Sequence, residues 1–344
     1  MIWHPLLIAV VVGDVLSLLL WLGAAGTAFQ ITVKWAPQSA HREQIQLERK
    51  AETARLSAKF SLVIFIISSI VIIIGITNVL PAIVPGAMCG TGVLQATTGL
   101  GGRALIYRFL AFFIMMLWLS YEKLDLSRPD APLTRYNSRL LLLALPFFLL
   151  AVITTFRSIL RIDSHQAVNC CAIVYDQFGN LAAAQQIAGI PNAFWVRAFW
   201  LLTFLMLLCA VWSLKTKRTN GETAVGFLAV ISIVWVPIAA ITLVRVHAAY
   251  FYQVLHHHCP WCLFLPEHKF VGVPLFGLLI IITMEGPLSY LAAKTAANFP
   301  DLLPRARRRS KLAGLRLILA AVTYAGMVAL PAIYWKLFYG VWLE

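Results

Sequence analysis

Long apolar runs separated by short polar stretches are the most regular feature of the chain. A helix needs about 20 mostly apolar residues to cross about 30 Å of hydrocarbon. Eight runs reach about that length, and they fall near residues 5–33, 60–83, 103–121, 140–160, 193–214, 224–252, 270–292 and 314–341. This pattern predicts an all-α fold, a polytopic integral membrane helix bundle with about eight transmembrane helices in a single transmembrane domain over residues 1–344.

The composition excludes several other classes of protein. Hydrophobic residues make up 60% of the chain, charged residues only 12%, and the mean hydropathy is +0.81, whereas a soluble domain has about 25% charged residues. Six cysteines in 344 residues are too few for a disulfide scaffold. The net charge of +14 is explained by basic loops beside a membrane, so we expect the lipid bilayer and no nucleic acid as a partner.

The distribution of lysine and arginine predicts the orientation of the spans. When the N-terminus is placed outside, 20 of the 28 basic residues fall in the polar segments on the inner side. Basic residues concentrate in loops that stay in the cytoplasm, so both termini are predicted to lie outside (N-out/C-out). The outer loops are then 84–102, 161–192 and 253–269. The inner stretch 38–59 is rich in Glu, Lys, Arg, Gln and Ala, and we expect it to prolong one of the first two spans as a solvated helix.

The predicted outer loops carry most of the cysteine. Five of the six cysteines lie there, namely Cys89, Cys170, Cys171, Cys259 and Cys262. Disulfide bonds form and persist in oxidising compartments such as the bacterial periplasm. We therefore predict an integral protein of the bacterial inner (cytoplasmic) membrane with its Cys-bearing loops in the periplasm. A plain structural bridge between Cys89 and one of Cys170 and Cys171 is an alternative.

The sharpest local signal is the motif Cys259-Pro260-Trp261-Cys262. Two cysteines three residues apart can close a small ring, and such pairs are usually redox-active. Pro260 suits the first turn of a helix, where a thiolate is stabilised by unpaired N–H groups, although Pro266 is expected to separate the motif from the seventh span. An exposed disulfide in a short loop should also be easier to reduce than a structural one. The pattern therefore favours an exposed redox pair.

Two other interpretations of this motif stay open. Soft thiolates together with imidazoles suit Cu(I), so an alternative set of copper ligands is His256, His257, His258, Cys259 and Cys262. The motif is also compatible with an inert loop disulfide.

The stretch from Ala249 to Leu263, AYFYQVLHHHCPWCL, resembles the CxxC region of the DsbB family of bacterial disulfide-forming membrane proteins. More loosely, it is similar to the vitamin K epoxide reductases, and the likeness extends over about residues 249–280. In these families an aromatic- and Gln-containing span end leads into the CxxC. The pair passes electrons to a quinone in the bilayer, and a second Cys pair on another outer loop relays to a soluble thioredoxin-like partner.

The resemblance implies roles for individual residues of this chain. Cys259 and Cys262 would be the quinone-proximal pair, and Cys89 with Cys170 or Cys171 would relay to a thioredoxin-like extracytoplasmic protein. The residues that would contact the quinone are His258, Trp261, Lys269 and Arg245. Lys269 is the nearest basic residue after the motif, since Pro266 stands near the place where those families carry one. Those families have four or five spans, whereas eight are predicted here.

Two acidic residues, Asp14 and Glu285, fall well inside the first and seventh predicted spans. An ionised acid at the bilayer centre costs about 2.5–3.5 kcal/mol on insertion scales. Each should therefore be protonated, paired or in contact with a wet cavity, with Arg245 and His247 as candidate partners or proton relays. A hydrogen bond that only joins two helices is the alternative.

These observations lead to three hypotheses about function. The leading one is a quinone-linked thiol–disulfide redox membrane protein that acts at the extracytoplasmic face. The second is a copper-handling membrane protein with an outer-face Cys/His site. The third is a non-catalytic integral subunit of a respiratory or transport assembly, bound to partner membrane subunits.

Overall fold

The computed structural model describes residues 4–36, 41–128, 130–162, 167–168, 186–187, 189–215, 221–254 and 257–342. The α-helices in these ranges are α1 (Pro5–Lys34), α2 (Arg42–Ile74), α3 (Gly90–Ala96), α4 (Leu100–Asp125), α5 (Thr134–Arg161), α6 (Asn192–Lys215), α7 (Gly221–Thr242), α8 (Ala248–Tyr252), α9 (Gly272–Asn298) and α10 (Leu303–Tyr339). A short antiparallel hairpin joins β1 (Gln186–Ile187) to β2 (Ile190–Pro191).

Eight helical segments of the described ranges are long and apolar enough to cross a membrane. They contain α1, α2, α4, α5, α6, α7, α9 and α10, the second segment ending at Ala82 and the sixth at Tyr252. The prediction of an all-α chain with eight candidate spans is therefore confirmed, and this architecture is typical of an integral membrane protein. The orientation with both termini outside stays a prediction.

The second segment is longer than its apolar run, because α2 already begins at Arg42. Its first buried residues recur every three or four positions: Gln44, Leu47, Ala51, Ala54 and Ala58. That spacing places them on one face of the helix. Leu47 and Ala51 pack with Ile31 and Trp35 from the end of α1. The expectation of a helix is confirmed from Arg42 onward, although one face of this part is buried rather than solvated. Residues 38–40 of the predicted stretch lie outside the described residues.

The chain divides into two compact units, Met1–Val168 and Asn169–Glu344, and each contains four of the candidate spans. In the first unit α1 packs against α2 and α5, and α4 packs against α5. Trp21 of α1 lies edge-on to Trp118 and Phe148, with ring centroids 5.7 and 6.0 Å away. Phe65 of α2 also lies edge-on to Phe148, with ring centroids 4.6 Å apart. All four spans therefore meet in one aromatic core, and edge-on aromatic pairs add to the stability gained from burial alone.

In the second unit α6, α7, α9 and α10 form a closed ring of contacts, since each helix packs against the next and α10 packs against α6. Trp235 of α7 lies near Phe199 of α6 and Tyr324 of α10, with ring centroids 5.7 and 5.2 Å away. Gly286 allows α9 to approach α7 closely, because a Cβ at this position would lie 1.9 Å from Oγ of Ser232. The aromatic core and this close crossing hold the helices on either side of the Cys259 loop.

Each unit departs from the regular α-helix at the same place, where its second span ends. A five-residue π-helix covers Gly75–Val79 after α2, and another covers Leu243–His247 after α7. π-Helices account for well under 1% of residues and occur frequently at functional sites. In both units the connection after the π-helix carries cysteine, which is Cys89 in the first unit and Cys259 with Cys262 in the second.

Candidate functional site

The connection between the sixth and seventh spans contains the motif that the sequence singled out. α8 ends at Tyr252, and Gln253 adopts a left-handed conformation with φ of +55° that stops the helix. A 3-10 turn covers Cys262–Phe264, and a second covers Pro266–His268. α9 begins only at Gly272. The motif therefore lies in a folded loop between two candidate spans.

The start of α9 supports this loop directly. A Cβ at Gly272 would lie 3.0 Å from the carbonyl carbon of Leu263 and 3.0 Å from Cδ2 of Phe264. Such contacts are closer than a side chain normally allows, so glycine is the residue that permits the loop to pack against the helix. Leu263 is fully buried as a result.

The predicted separation of the motif from the seventh span is confirmed. Pro266 has no N–H group and restricts the residue before it, and Leu265 accordingly has an extended backbone with φ of −84° and ψ of 152°. The effect of a helix dipole falls off within the first turn, and Cys262 lies well before the first turn of α9. The dipole of that helix therefore does not stabilise a thiolate in the motif.

The two thiol groups of the motif lie close together in a buried position. The Sγ atoms of Cys259 and Cys262 are within 4.8 Å of one another. A disulfide bond requires about 2.05 Å between the sulfurs, so a small movement of the side chains suffices to form it. Cys259 is 0% exposed and Cys262 is 9% exposed. The expectation of an exposed pair is wrong, because the loop folds against the helix that follows it.

Aromatic and imidazole rings surround the backbone of the motif. The hydroxyl group of Tyr252 donates a hydrogen bond to the carbonyl oxygen of Cys259. The ring of Tyr252 lies edge-on to His257 and His268, with ring centroids 4.7 and 4.6 Å away. Burial lowers the pKa of His268 below its usual value, although the carboxylate of Glu267 opposes this shift. His268 is therefore uncharged at neutral pH where it contacts Tyr252.

A row of three half-buried aromatic rings begins at the motif. The ring centroids of Trp261 and Phe264 are 6.0 Å apart, and those of Phe264 and Phe276 are 5.2 Å apart. The planes of these neighbouring rings are tilted by only 37° and 32°. The row connects the motif to the first turns of α9 and presents an apolar, aromatic surface beside the cysteine pair.

The residues predicted to contact a quinone fall in three places. His258 and Trp261 belong to the loop of the cysteine pair. Lys269 is exposed and has a left-handed backbone with φ of +56°, shortly before α9 begins. Arg245 lies in the π-helix of the sixth span. The loop therefore unites two of the four residues with the pair.

The alternative metal ligands and the remaining cysteines are only partly described. His257 and His258 both belong to the loop of the cysteine pair; His257 is buried and His258 is half-buried. His256, Cys170 and Cys171 lie outside the described residues. Cys89 belongs to the first unit, where it is buried and immediately precedes α3.

Asp14 is paired within the first unit, and its partner is Arg108 of α4, whose guanidinium group donates to the carboxylate. Three hydroxyl groups complete the network: Ser68 donates to Asp14 at 2.6 Å, while Ser69 and Thr155 accept from Arg108 at 3.2 and 3.1 Å. Asp14 is 2% exposed and Arg108 is 4% exposed. The sequence suggested Arg245 or His247 as the partner, which is wrong because the buried cation beside Asp14 comes from α4.

Glu285 of α9 is also paired, in this case with two arginines of α10. Nη1 of Arg309 lies 2.5 Å from one carboxylate oxygen, and Nη1 of Arg316 lies 2.8 Å from the other. Both arginines belong to the basic stretch between the seventh and eighth predicted spans, which counts among the inner segments, so the sequence did not suggest them as partners of Glu285. A signal was present, because residues seven apart lie on the same face of a helix.

A second group of ion pairs joins α2 to α4, and these pairs were not predicted from the sequence either. Nζ of Lys59 lies 2.8 Å from Glu122, and Nη2 of Arg55 lies 3.4 Å from Asp125. Asp125 also accepts a hydrogen bond at 2.6 Å from the hydroxyl of Thr134, the first residue of α5. The spacing was informative here too. Arg55 and Lys59 are four residues apart and share one face of α2, while Glu122 and Asp125 are three residues apart and share one face of α4.

Comparison of the chain with protein-family models, with curated proteins and with solved structures finds no significant match. The resemblance to the DsbB and vitamin K epoxide reductase families therefore stays a prediction that rests on the residues around the motif. The structure itself supports a helical chain with eight candidate membrane spans and two buried thiol groups that lie close together in one loop.

Proposed function

We propose that this protein is a membrane thiol–disulfide redox protein whose redox pair is Cys259 and Cys262. The observation that carries the proposal is the approach of their Sγ atoms to within 4.8 Å inside a buried loop. A bond between residues three apart closes a very short loop, and a disulfide stabilises a protein less the shorter the loop it closes. A purely structural bridge would therefore contribute little at this position, which favours a pair that cycles.

The redox cycle has two half-reactions. A thiolate of a thioredoxin-like partner attacks the disulfide between Cys259 and Cys262, and a mixed disulfide forms. The second thiol of the partner resolves this bond, so the partner leaves oxidised and the pair is left as two thiols. The pair then gives two electrons and two protons to a membrane quinone, which leaves as the quinol, and the disulfide is restored.

Two features support a quinone as the electron acceptor. The loop joins two candidate spans, so a carrier dissolved in the bilayer can reach it. The half-buried rings of Trp261, Phe264 and Phe276 provide a surface on which a flat ring can stack. The contacts of His258, Lys269 and Arg245 with a quinone follow only from the resemblance.

The relay cysteines also rest on the resemblance alone. The resemblance implies that they stand between the partner and the pair: the partner's thiolate would attack a disulfide of Cys89 with Cys170 or Cys171, instead of attacking the pair directly. The reduced relay thiols would then exchange with the disulfide between Cys259 and Cys262. Their role stays a prediction, and the redox function of Cys259 and Cys262 does not depend on it.

Copper handling is the second candidate function. His257 and His258 precede the cysteine pair in the same loop, and thiolates together with imidazoles suit Cu(I). In this function the two sulfurs hold the ion instead of bonding to each other. The two candidates make opposite predictions about quinone and about metal, so one experiment separates them.

The experiment starts from native membranes in which dithiothreitol has reduced the protein and has then been removed. Differential alkylation and mass spectrometry report how much of the Cys259–Cys262 bond is restored when ubiquinone or menaquinone is added. We expect the bond to recover, and we expect Cys259→Ser and Cys262→Ser to abolish the recovery. Cys209→Ser is the matched control, since Cys209 lies on α6 inside the fifth candidate span, and it should recover like the unaltered protein.

The other outcomes distinguish the remaining hypotheses. If quinone leaves the pair reduced while Cu(I) binds to it tightly, copper handling replaces the redox function. If the pair resists dithiothreitol altogether, the result favours a structural bridge in a non-catalytic subunit.

A further inference from the structure

Tyr252 contacts the loop of the cysteine pair at three points along its length. It is the last residue of α8 and is only 9% exposed. Its ring lies edge-on to His257, before the motif, and to His268, after the motif. Its hydroxyl group donates to the carbonyl oxygen of Cys259. One side chain therefore holds the entry, the first cysteine and the exit of the loop.

We propose that Tyr252 is a positioning residue for the redox pair, which holds the backbone of Cys259 through its hydroxyl group while Cys262 moves as the disulfide forms and breaks. This inference rests on the proposed function of the pair. It assigns a role to a residue that lies outside the CxxC motif and is brought to it only by the fold of the loop.

The two ends of the motif differ in the way their backbone is held. The carbonyl of Cys259 accepts a hydrogen bond from a side chain that is anchored at the end of a span. Cys262 begins a 3-10 turn with local bonds, in which Leu265 donates to Cys262 at 3.0 Å and Phe264 donates to Trp261 at 3.1 Å. The hydrogen-bond geometry of 3-10 turns is poorer than that of α-helices, so this end adapts more readily. Closing the sulfurs to about 2.05 Å should therefore displace Cys262 more than Cys259.

Holding the backbone of Cys259 in place restricts the positions that its sulfur can reach, and this restriction also affects the redox equilibrium. A fixed neighbour raises the effective concentration of one thiol at the other, which favours the disulfide. Tyr252→Phe removes the hydroxyl group and keeps the contacts with both imidazole rings, whereas Tyr252→Leu removes the hydroxyl group and the ring contacts as well. Loss of one buried hydrogen bond typically changes an equilibrium constant by about two- to tenfold.

The first test measures the equilibrium between the pair and dithiothreitol, by alkylation and mass spectrometry, on the full chain in detergent. We expect Tyr252→Phe to lower the equilibrium constant for disulfide formation by about two- to tenfold, and Tyr252→Leu to lower it further. Tyr250→Phe is the matched control, because Tyr250 is a buried tyrosine of the same helix, and it should leave the constant unchanged. If Tyr252→Leu does not fold, Tyr252→Phe decides the question.

The second test does not depend on redox cycling. In a Cys262→Ser background, Cys259 is the remaining thiol of the motif, and its burial should slow alkylation by a small maleimide. We expect Tyr252→Phe to accelerate this alkylation several-fold relative to Tyr250→Phe, because the loop loses its contact with the carbonyl of Cys259.

The results separate this inference from the proposed function, since neither test uses quinone. An unchanged equilibrium constant together with an unchanged alkylation rate in Tyr252→Phe would overturn the inference, even if quinone restores the disulfide. A pair that responds to Tyr252→Phe but ignores quinone would keep the positioning role and overturn the quinone-linked function alone.

Discussion

Asp14 and Arg108 place two opposite charges in the buried interior of the first unit. A charge inside hydrocarbon is costly, and it persists here because the two charges pair and hydroxyl groups bind to both. The guanidinium group also lies 5.3 Å from the ring centroid of Phe65. With Ser68, Ser69 and Thr155, the network joins all four spans of the unit. The loss of either charge should therefore affect the whole unit.

We predict that Asp14→Leu and Arg108→Leu each destabilise the protein by about 3–5 kcal/mol, because removal of one partner leaves the other charge buried and unpaired. The double variant should recover most of the lost stability, since it leaves no unpaired charge buried. Thermal unfolding in detergent measures both effects. Arg103→Leu, at an exposed position of the same helix, is the control. Single variants that unfold like the control would show that the pair does not stabilise the unit.

Glu285 connects two long elements, α9 and α10. α10 has 37 residues and is therefore about 55 Å long, which exceeds the thickness of the hydrocarbon core. Its first turns are basic, and Glu285 draws Arg309 and Arg316 from this basic part against α9. The side chain of Arg309 is 20% exposed and that of Arg316 is 57% exposed. Because solvent screens an exposed ion pair, the bond to Arg309 should contribute more.

We predict that Glu285→Gln keeps the protein folded, because glutamine still accepts a hydrogen bond, whereas Glu285→Lys sharply reduces the yield by placing a third cation between two arginines. Arg309→Gln should lower the melting temperature more than Arg316→Gln. Expression yield and thermal unfolding measure these effects, with Lys311→Gln as the exposed control on the same helix. Equal yields for the two Glu285 variants would indicate a wet, unconstrained position.

The orientation of the whole molecule is predicted from the distribution of its basic residues. Labelling of native thiols is a poor test of that orientation, because Cys89, Cys259 and Cys262 are all buried. Exposed positions at opposite ends of the spans are better reporters. Lys269, before α9, and Lys311, in the first turns of α10, are both exposed.

We predict that a membrane-impermeant maleimide labels Lys269→Cys in intact cells and labels Lys311→Cys only after lysis. The reason is that the Lys311 segment belongs to the basic side, which is predicted to stay in the cytoplasm. Mass spectrometry at the introduced residue separates its labelling from that of native cysteines. The reverse pattern would show that the termini lie inside.

The sequence by itself determined the elements of this protein. Hydrocarbon leaves no partner for an unpaired backbone group, so apolar runs of sufficient length predicted the eight candidate spans that the structure contains. The polar composition of residues 38–59 predicted a helical extension of one of the first two spans, which the structure shows as the start of α2. Pro266 predicted the break between the motif and α9. These features depend on a residue and its near neighbours, which the sequence displays directly.

Only the tertiary structure decided which residues meet. Asp14 and Arg108 are 94 residues apart along the chain, and nothing local to Asp14 selects Arg108 over the other basic residues. The burial of Cys259 and its bond to Tyr252 likewise depend on how the loop folds against the ends of two spans. Long-range contacts depend on which helices are neighbours and at what depth they cross. That arrangement results from packing over many residues at once, so single motifs do not encode it.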